Sequence, residues 1–171
     1  MPHRPARTAT PAALYTSEER ARRDGTRWTL VQGVLAPLQF LVFAVSLILV
    51  LRFLATGEGL FAATVSVVIK TFTLYAIMVT GAIWEKAVFG RYLFAPAFYW
   101  EDVFSFLVLA LHTAYLVALF TAALDARGLM YLALAAYATY AINATQFLLK
   151  LRAARRDESI MADAAAAGGR A

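Results

Sequence analysis

TLVQGVLAPLQFLVFAVSLILVL, residues 29–51, runs for 23 positions without a single Lys, Arg, Asp or Glu. An α-helix needs about 20 apolar residues to cross the hydrocarbon core of a bilayer. Three further runs reach that length, at about 60–83, 103–124 and 128–149, and Lys70 is the one charged residue in all four. Backbone groups in lipid must find partners within the spanning segment or a closed barrel. Unbroken apolar runs exclude the alternation of a barrel strand. The predicted class is therefore all-α: a polytopic membrane protein with four transmembrane helices in a bundle.

The rest of the chain fits this frame. Of 171 residues, 61% are hydrophobic and 16% charged, outside the balance of a soluble domain. Residues 1–13 (MPHRPARTATPAA) read as a disordered tail, residues 14–156 as the membrane domain and residues 157–171, ending AAAAGGRA, as a flexible tail. Thr16 with Glu19 has the spacing of a capping box, which predicts either a short surface helix or a merely charged leader. Pro37 should kink the first span.

Lys and Arg outside the spans divide 13 against 2 in favour of the termini and the middle loop. The positive-inside rule then places both termini in the cytoplasm. A net charge of +5 carried in such flanks is a topology and lipid signal rather than a nucleic-acid footprint. The absence of Cys removes disulfides and thiolate chemistry, and two His give no basis for a protein-built metal site. The polar first 28 residues show no cleavable signal peptide. A multi-pass membrane protein is the expected localisation.

The middle loop is unusual. WEKAVFGRYLFAPAFYWEDVF, residues 84–104, packs five charged residues and eight aromatics into 21 positions. Aromatics can anchor helices in the headgroup layer. Beside three carboxylates they also make an acid-bearing surface suited to a large planar ligand. Glu85, Glu101 and Asp102 stand at helix ends, where burial against aromatics would keep a carboxyl protonated near neutral pH. The competing account is structural: the acids of the third span cap its free N–H groups, and Glu85 pairs with Lys86. Glu101 is the favoured donor because it shares a helical face with Ser105 and His112.

Small and polar residues recur at helical spacing in every span: Gln32, Ala36, Gln39 and Ser46; Ala62, Ser66, Lys70, Thr73 and Thr80; Tyr140, Asn143 and Gln146. Such stripes should face inward, mostly as packing and hydrogen-bonding contacts. Lys70 lies near mid-membrane, where a Lys costs about 2.5–3.5 kcal/mol to insert. It is either a functional group or a neutral amine bonded to Gln39 and backbone carbonyls. His112, at similar depth, has three readings: a satisfied core histidine, an axial ligand to a chlorin magnesium, or a proton carrier. No phosphate loop, nucleotide fingerprint, metalloprotease helix or nucleophile elbow is present.

Three segments carry a resemblance: LYTSEERARRDGTRWTLVQGVLAPLQFLVF, TFTLYAIMVTGAIWEKAVFGRYLFAPAFYWEDVFSFLVLALHTAYL and AAYATYAINATQFLLKLRAAR. Together, over about residues 14–156, they resemble the 2-vinyl bacteriochlorophyllide hydratases, or chlorophyllide vinyl hydratases, of phototrophic bacteria. The resemblance implies a hydro-lyase that adds water to the ring-A vinyl group of a magnesium chlorin, giving the 1-hydroxyethyl derivative in bacteriochlorophyll biosynthesis. Water would be the co-substrate, no cofactor would be needed, and the magnesium would belong to the substrate.

On that basis the expected site stacks the chlorin among Trp84, Phe98, Tyr99 and Trp100. Glu101, or else Asp102, protonates the vinyl group, and Glu85 or His112 handles water. Lys70, Ser105, Gln39 and Asn143 complete the substrate-binding set, Lys70 as a partner for a substrate carboxylate and His112 alternatively as the magnesium ligand. A non-catalytic chlorin carrier or photosystem assembly factor would use similar features, whereas a transporter lacks the repeat and broken helices it would need. The lipid bilayer, a second copy or other enzymes of the same pathway are the remaining candidate partners, and nucleic acid is not among them.

Overall fold

A computed structural model describes residues 14–168, and the tail expected over residues 1–13 lies outside them. The described residues form five helices and no strand: α1 Ser17–Gly25, α2 Arg27–Thr56, α3 Leu60–Phe89, α4 Tyr99–Phe120 and α5 Ala126–Gly168. Helices α2 to α5 are each long and apolar enough to cross a membrane. α2 packs chiefly on α3 and α4 chiefly on α5, so the bundle is two antiparallel hairpins laid together.

Local chemistry sets the boundaries. Thr16 and Glu19 form the reciprocal capping box at the start of α1, each side chain accepting the other residue's N–H. α2 runs through Pro37 without a break. Gly57 and Gly59, both left-handed, turn α2 into α3, and Gly90 (φ 81°) ends α3. The third membrane helix starts earlier and stops earlier than its apolar run. It ends at Phe120 because Ala122 turns left-handed and the Ala123 N–H reaches back to the Ala118 carbonyl. The fifth helix does not stop with its apolar run but continues to Gly168, through residues the sequence assigned to a flexible tail. That extension is rich in Ala and Arg, among the strongest helix formers, with no Pro to stop it.

Gly90→Ala is expected to cost about 1 kcal/mol, because a Cβ disfavours the left-handed backbone although open space surrounds it. The helical Gly25, also in open space, should accept Ala with no loss. Thermal unfolding of the two variants in detergent checks the contrast.

The partition of side chains is that of a membrane protein. Leu30, Val34, Phe40, Ile48, Phe61, Ile69, Phe72, Val117 and Phe120 lie on the outside, while Gln39, Ser46, Lys70, Thr71, Ser105, His112 and Asn143 are buried. Ala36 and Ala62, placed on inward stripes from the sequence, are exposed. Polar pairs tie the helices together: Gln32 to Thr80 and Ser46 to Ser66 between α2 and α3, Ser46 to Tyr137 on α5, Tyr75 to Thr113 between α3 and α4, and Asn143 to Ser105 between α5 and α4. Each contact of this kind contributes on the order of 0.6–2 kcal/mol in a membrane.

Candidate active site

The connection between α3 and α4 folds back onto the helix ends, and its backbone donors select two of the three carboxylates. The Phe94 N–H donates to Asp102 Oδ2 at 2.6 Å, and the Ala95 N–H donates to Glu85 Oε2 at 3.2 Å. Glu85 and Asp102 are buried and face each other within hydrogen-bonding reach. Ionised carboxylates only accept, so a hydrogen bond between two of them requires a proton on one. The pair is thus built to hold a proton in a fixed place. α4 begins at Tyr99, and its N-cap residue, Phe98, supplies no side-chain cap.

Glu101 is buried too but turned the other way. Its Oε2 accepts from Lys150 Nζ on α5 at 2.7 Å, and Lys150 also donates to the Ala97 carbonyl and lies over the Phe98 ring, 5.0 Å from its centroid. A rotation of about 100° per residue separates the two neighbours. Asp102 meets α3, whereas Glu101 meets α5. Glu85 is not paired with Lys86, whose ammonium caps the Gly90 carbonyl at 2.7 Å instead.

The four aromatics proposed to hold a planar ligand divide into two groups. Trp84 and Phe98 belong to an internal cluster with Tyr15, Val88 and Phe89. The Trp84 indole N–H donates to Thr29 at 2.9 Å, and Phe98 stacks on Phe147 and meets Trp84 edge-on. α1 docks against this cluster, its Arg22 donating to the Val88 carbonyl at 2.7 Å. Tyr99 and Trp100 are exposed, 47% and 68%, and join Phe94 and Phe106 in a chain of ring contacts on the outer side of α4. Phe94 and Phe106 are stacked with ring planes 14° apart. This platform lies beside Asp102, since Phe106 follows it by one helical turn and Phe94 is bonded to it.

Deeper in the bundle lies a second polar layer. Lys70 is fully buried, and its Nζ sits 3.8 Å from the Tyr140 ring centroid without a hydrogen-bond partner. His112 Nδ1 faces the Val108 carbonyl at 2.8 Å; a carbonyl only accepts, so Nδ1 carries a proton, and Nε2 has no partner among the described residues. The amide of Gln39 and the Oδ1 of Asn143 are likewise buried and unpartnered. Asn143 donates to Ser105 at 2.8 Å. Ten residues of α4 separate His112 from Asp102, a rise of about 15 Å. The chain's candidate residues thus occupy two levels, an acidic one at the helix ends and a basic one near the middle.

Two participants were missed from sequence. Lys150 continues the polar stripe of Tyr140, Asn143 and Gln146 by one turn, a spacing that could have shown it, but its place beside a span made it look topogenic. Phe94 carries no such signal. Its left-handed backbone (φ 58°), rare for a bulky residue, occurs where its N–H donates to Asp102.

A family profile described as 2-vinyl bacteriochlorophyllide hydratase (BCHF) matches residues 15–153. Two relatives carry the name 2-vinyl bacteriochlorophyllide hydratase. The protein from Cereibacter sphaeroides is 76% identical over 145 residues, covering 84% of this chain and 89% of its own. That from Rhodobacter capsulatus is 71% identical over 154 residues, covering 90% and 87%. No solved structure matches the chain. The matched region takes in all four spans, the acidic pair and the Lys150 contact, and the chain belongs to the 2-vinyl bacteriochlorophyllide hydratase family.

Proposed function

We propose that the protein is a hydro-lyase of bacteriochlorophyll biosynthesis that adds water to the ring-A vinyl group of a magnesium chlorin, and that Glu85 and Asp102 perform the proton transfers. The observation that carries this reading is the buried carboxyl pair, held by loop N–H groups next to an exposed aromatic platform. The chlorin approaches over Phe94, Tyr99, Trp100 and Phe106 and enters its vinyl edge between α3 and α4. Trp84 and Phe98 support that site from behind.

The proton shared by the pair passes to the terminal vinyl carbon, which becomes a methyl group. The positive charge forms on the carbon next to the macrocycle, where the ring system delocalises it and the carboxylate left behind stabilises it. Water forms the new C–O bond, and its surplus proton returns to the pair. Atoms balance at one water per vinyl group, and no net redox change occurs. The reaction therefore needs water as co-substrate and no redox cofactor; the magnesium is the substrate's own. Glu101, paired with Lys150 on α5, faces away from the carboxyl pair and is less suited to donate.

His112 is too far from Asp102 to ligate the magnesium of a ring whose vinyl group touches the acid pair. A rise of about 15 Å exceeds the reach from the centre of a macrocycle to its own vinyl carbon. The excess of Lys and Arg supports a reading in which this end of the bundle, and both termini, face the cytoplasmic side of the bacterial inner membrane.

Membranes containing the protein, incubated with chlorophyllide a in heavy-oxygen water, should yield a pigment gaining one labelled water, with a blue-shifted red band as vinyl conjugation is lost. Pigment bound and recovered unaltered would overturn the hydratase reading in favour of a carrier.

A further inference from the structure

We infer that Arg91, on the connection between α3 and α4, forms a second substrate subsite that receives the free carboxylate of the pigment. The inference rests on the chlorin reading above and names what holds a second edge of the ring. Arg91 is exposed, and its Nη1 donates to the Phe94 carbonyl at 3.5 Å, while the N–H of that same Phe94 donates to Asp102 at 2.6 Å. One residue spans at most about 3.6 Å, so the guanidinium nitrogen stands no more than about 10 Å from the Asp102 carboxyl oxygen. Phe94, a member of the aromatic platform, is the link between them.

The guanidinium is available to an anion. Among the described residues no carboxylate lies within ion-pair distance of Arg91, whereas the neighbouring cations are committed, Lys150 to Glu101 and Lys86 to the Gly90 carbonyl. One long contact to Phe94 leaves most of its five N–H donors unused, in a planar fork that matches the two oxygens of a carboxylate. Arg91 also stands between the spans rather than inside one, which spares both ions the cost of entering hydrocarbon.

A chlorophyllide-type pigment differs from its esterified form in a free carboxylate on the ring-D side chain, and one bridging carbon joins ring D to ring A. The vinyl group and the carboxylate therefore project from neighbouring corners of one macrocycle. With the vinyl edge at Glu85 and Asp102 and the ring face on Phe94 and Phe106, the carboxylate falls on the loop side, at Arg91. Lys70, the partner expected from sequence for this group, stands fifteen residues from Glu85 on α3, about 22 Å away and beyond the same ring.

The subsite makes the protein selective for the free acid and sets which ring edge meets the carboxyl pair. The test compares the affinities of chlorophyllide a and its methyl ester for the purified full-length protein, followed by pigment absorption. Wild type should bind the acid about five- to tenfold more tightly, as expected for a bidentate pair that solvent partly screens. Arg91→Gln should lose that preference, and Arg91→Lys, which keeps the charge without the fork, should retain part of it. Arg155→Gln removes an equally exposed charge from α5 and should leave the preference at its wild-type value. Thermal unfolding of Arg91→Gln should match wild type, because the side chain is exposed and makes one long hydrogen bond.

Equal binding of acid and ester by wild type would overturn the subsite, and so would a preference that survives in Arg91→Gln or falls as far in Arg155→Gln. Turnover is scored separately. A preference for the acid without hydration would uphold the subsite and sink the hydratase reading, whereas hydration of acid and ester bound with equal affinity would do the reverse.

Discussion

Asp102→Asn is expected to reduce hydration by about 10²- to 10⁴-fold, the usual contribution of a positioned general acid, while the protein still inserts and binds pigment. Asn keeps the oxygen that accepts the Phe94 N–H, so the loop stays clamped. What it loses is the proton shared with Glu85. Glu85→Gln should fail for the same reason, since its Oε still accepts from Ala95 but no longer exchanges a proton with Asp102. Glu101→Gln should have the smaller effect, because Glu101 is already committed to Lys150. Initial rates followed in the red absorption band, with pigment binding measured in parallel, rank the three. Wild-type turnover in Asp102→Asn would place the donor elsewhere.

Lys150→Met should have the largest effect on stability. It strands the Glu101 carboxylate in a site that leaves that side chain 10% exposed, and it frees the Ala97 carbonyl. Breaking a buried pair costs about 3–5 kcal/mol. Lys150 itself is 25% exposed, so solvent screening brings the expected loss to about 2–3 kcal/mol. Adding Glu101→Gln to Lys150→Met should recover much of it, because the stranded charge rather than the missing contact dominates. A double-mutant cycle on thermal unfolding in detergent measures the coupling. Additivity within about 0.5 kcal/mol would show that the pair is not coupled.

The four spans were legible because apolar length is a one-dimensional signal, and the capping box of α1 because its two residues are three apart. Helical phase put Glu101, Ser105 and His112 on one inward face, and all three are buried. Phase could not say which helix each acid meets. That depends on Glu85 standing 17 positions before Asp102 and Lys150 standing 49 after Glu101, distances over which no local pattern operates. Composition likewise found the aromatic segment but could not divide it. Trp84 and Phe98 are packed by α1, Phe147 and Lys150, whereas Tyr99 and Trp100 are exposed among the described residues. Lys150 was hidden by a sound rule, since a Lys just past an apolar run ordinarily reports sidedness.

The unequal packing of the two hairpins has a mechanical consequence. The hairpins share a core that includes Val50, Val67, Tyr115 and Tyr137 and the buried Ser46–Tyr137 hydrogen bond, while α3 and α4 touch sparingly, through Tyr75 to Thr113 and the Glu85–Asp102 contact among the described residues. Free energies of opening follow local contact density, so the α3–α4 seam parts more easily than the packing within either hairpin. Parting that seam leaves the Asn143–Ser105 and Gln32–Thr80 ties intact, because each lies within one hairpin, while Ser46–Tyr137 on α2 and α5 holds the hairpins together. The carboxyl pair lies on that seam, so the proposed planar substrate would meet it by parting a sparsely packed helix contact.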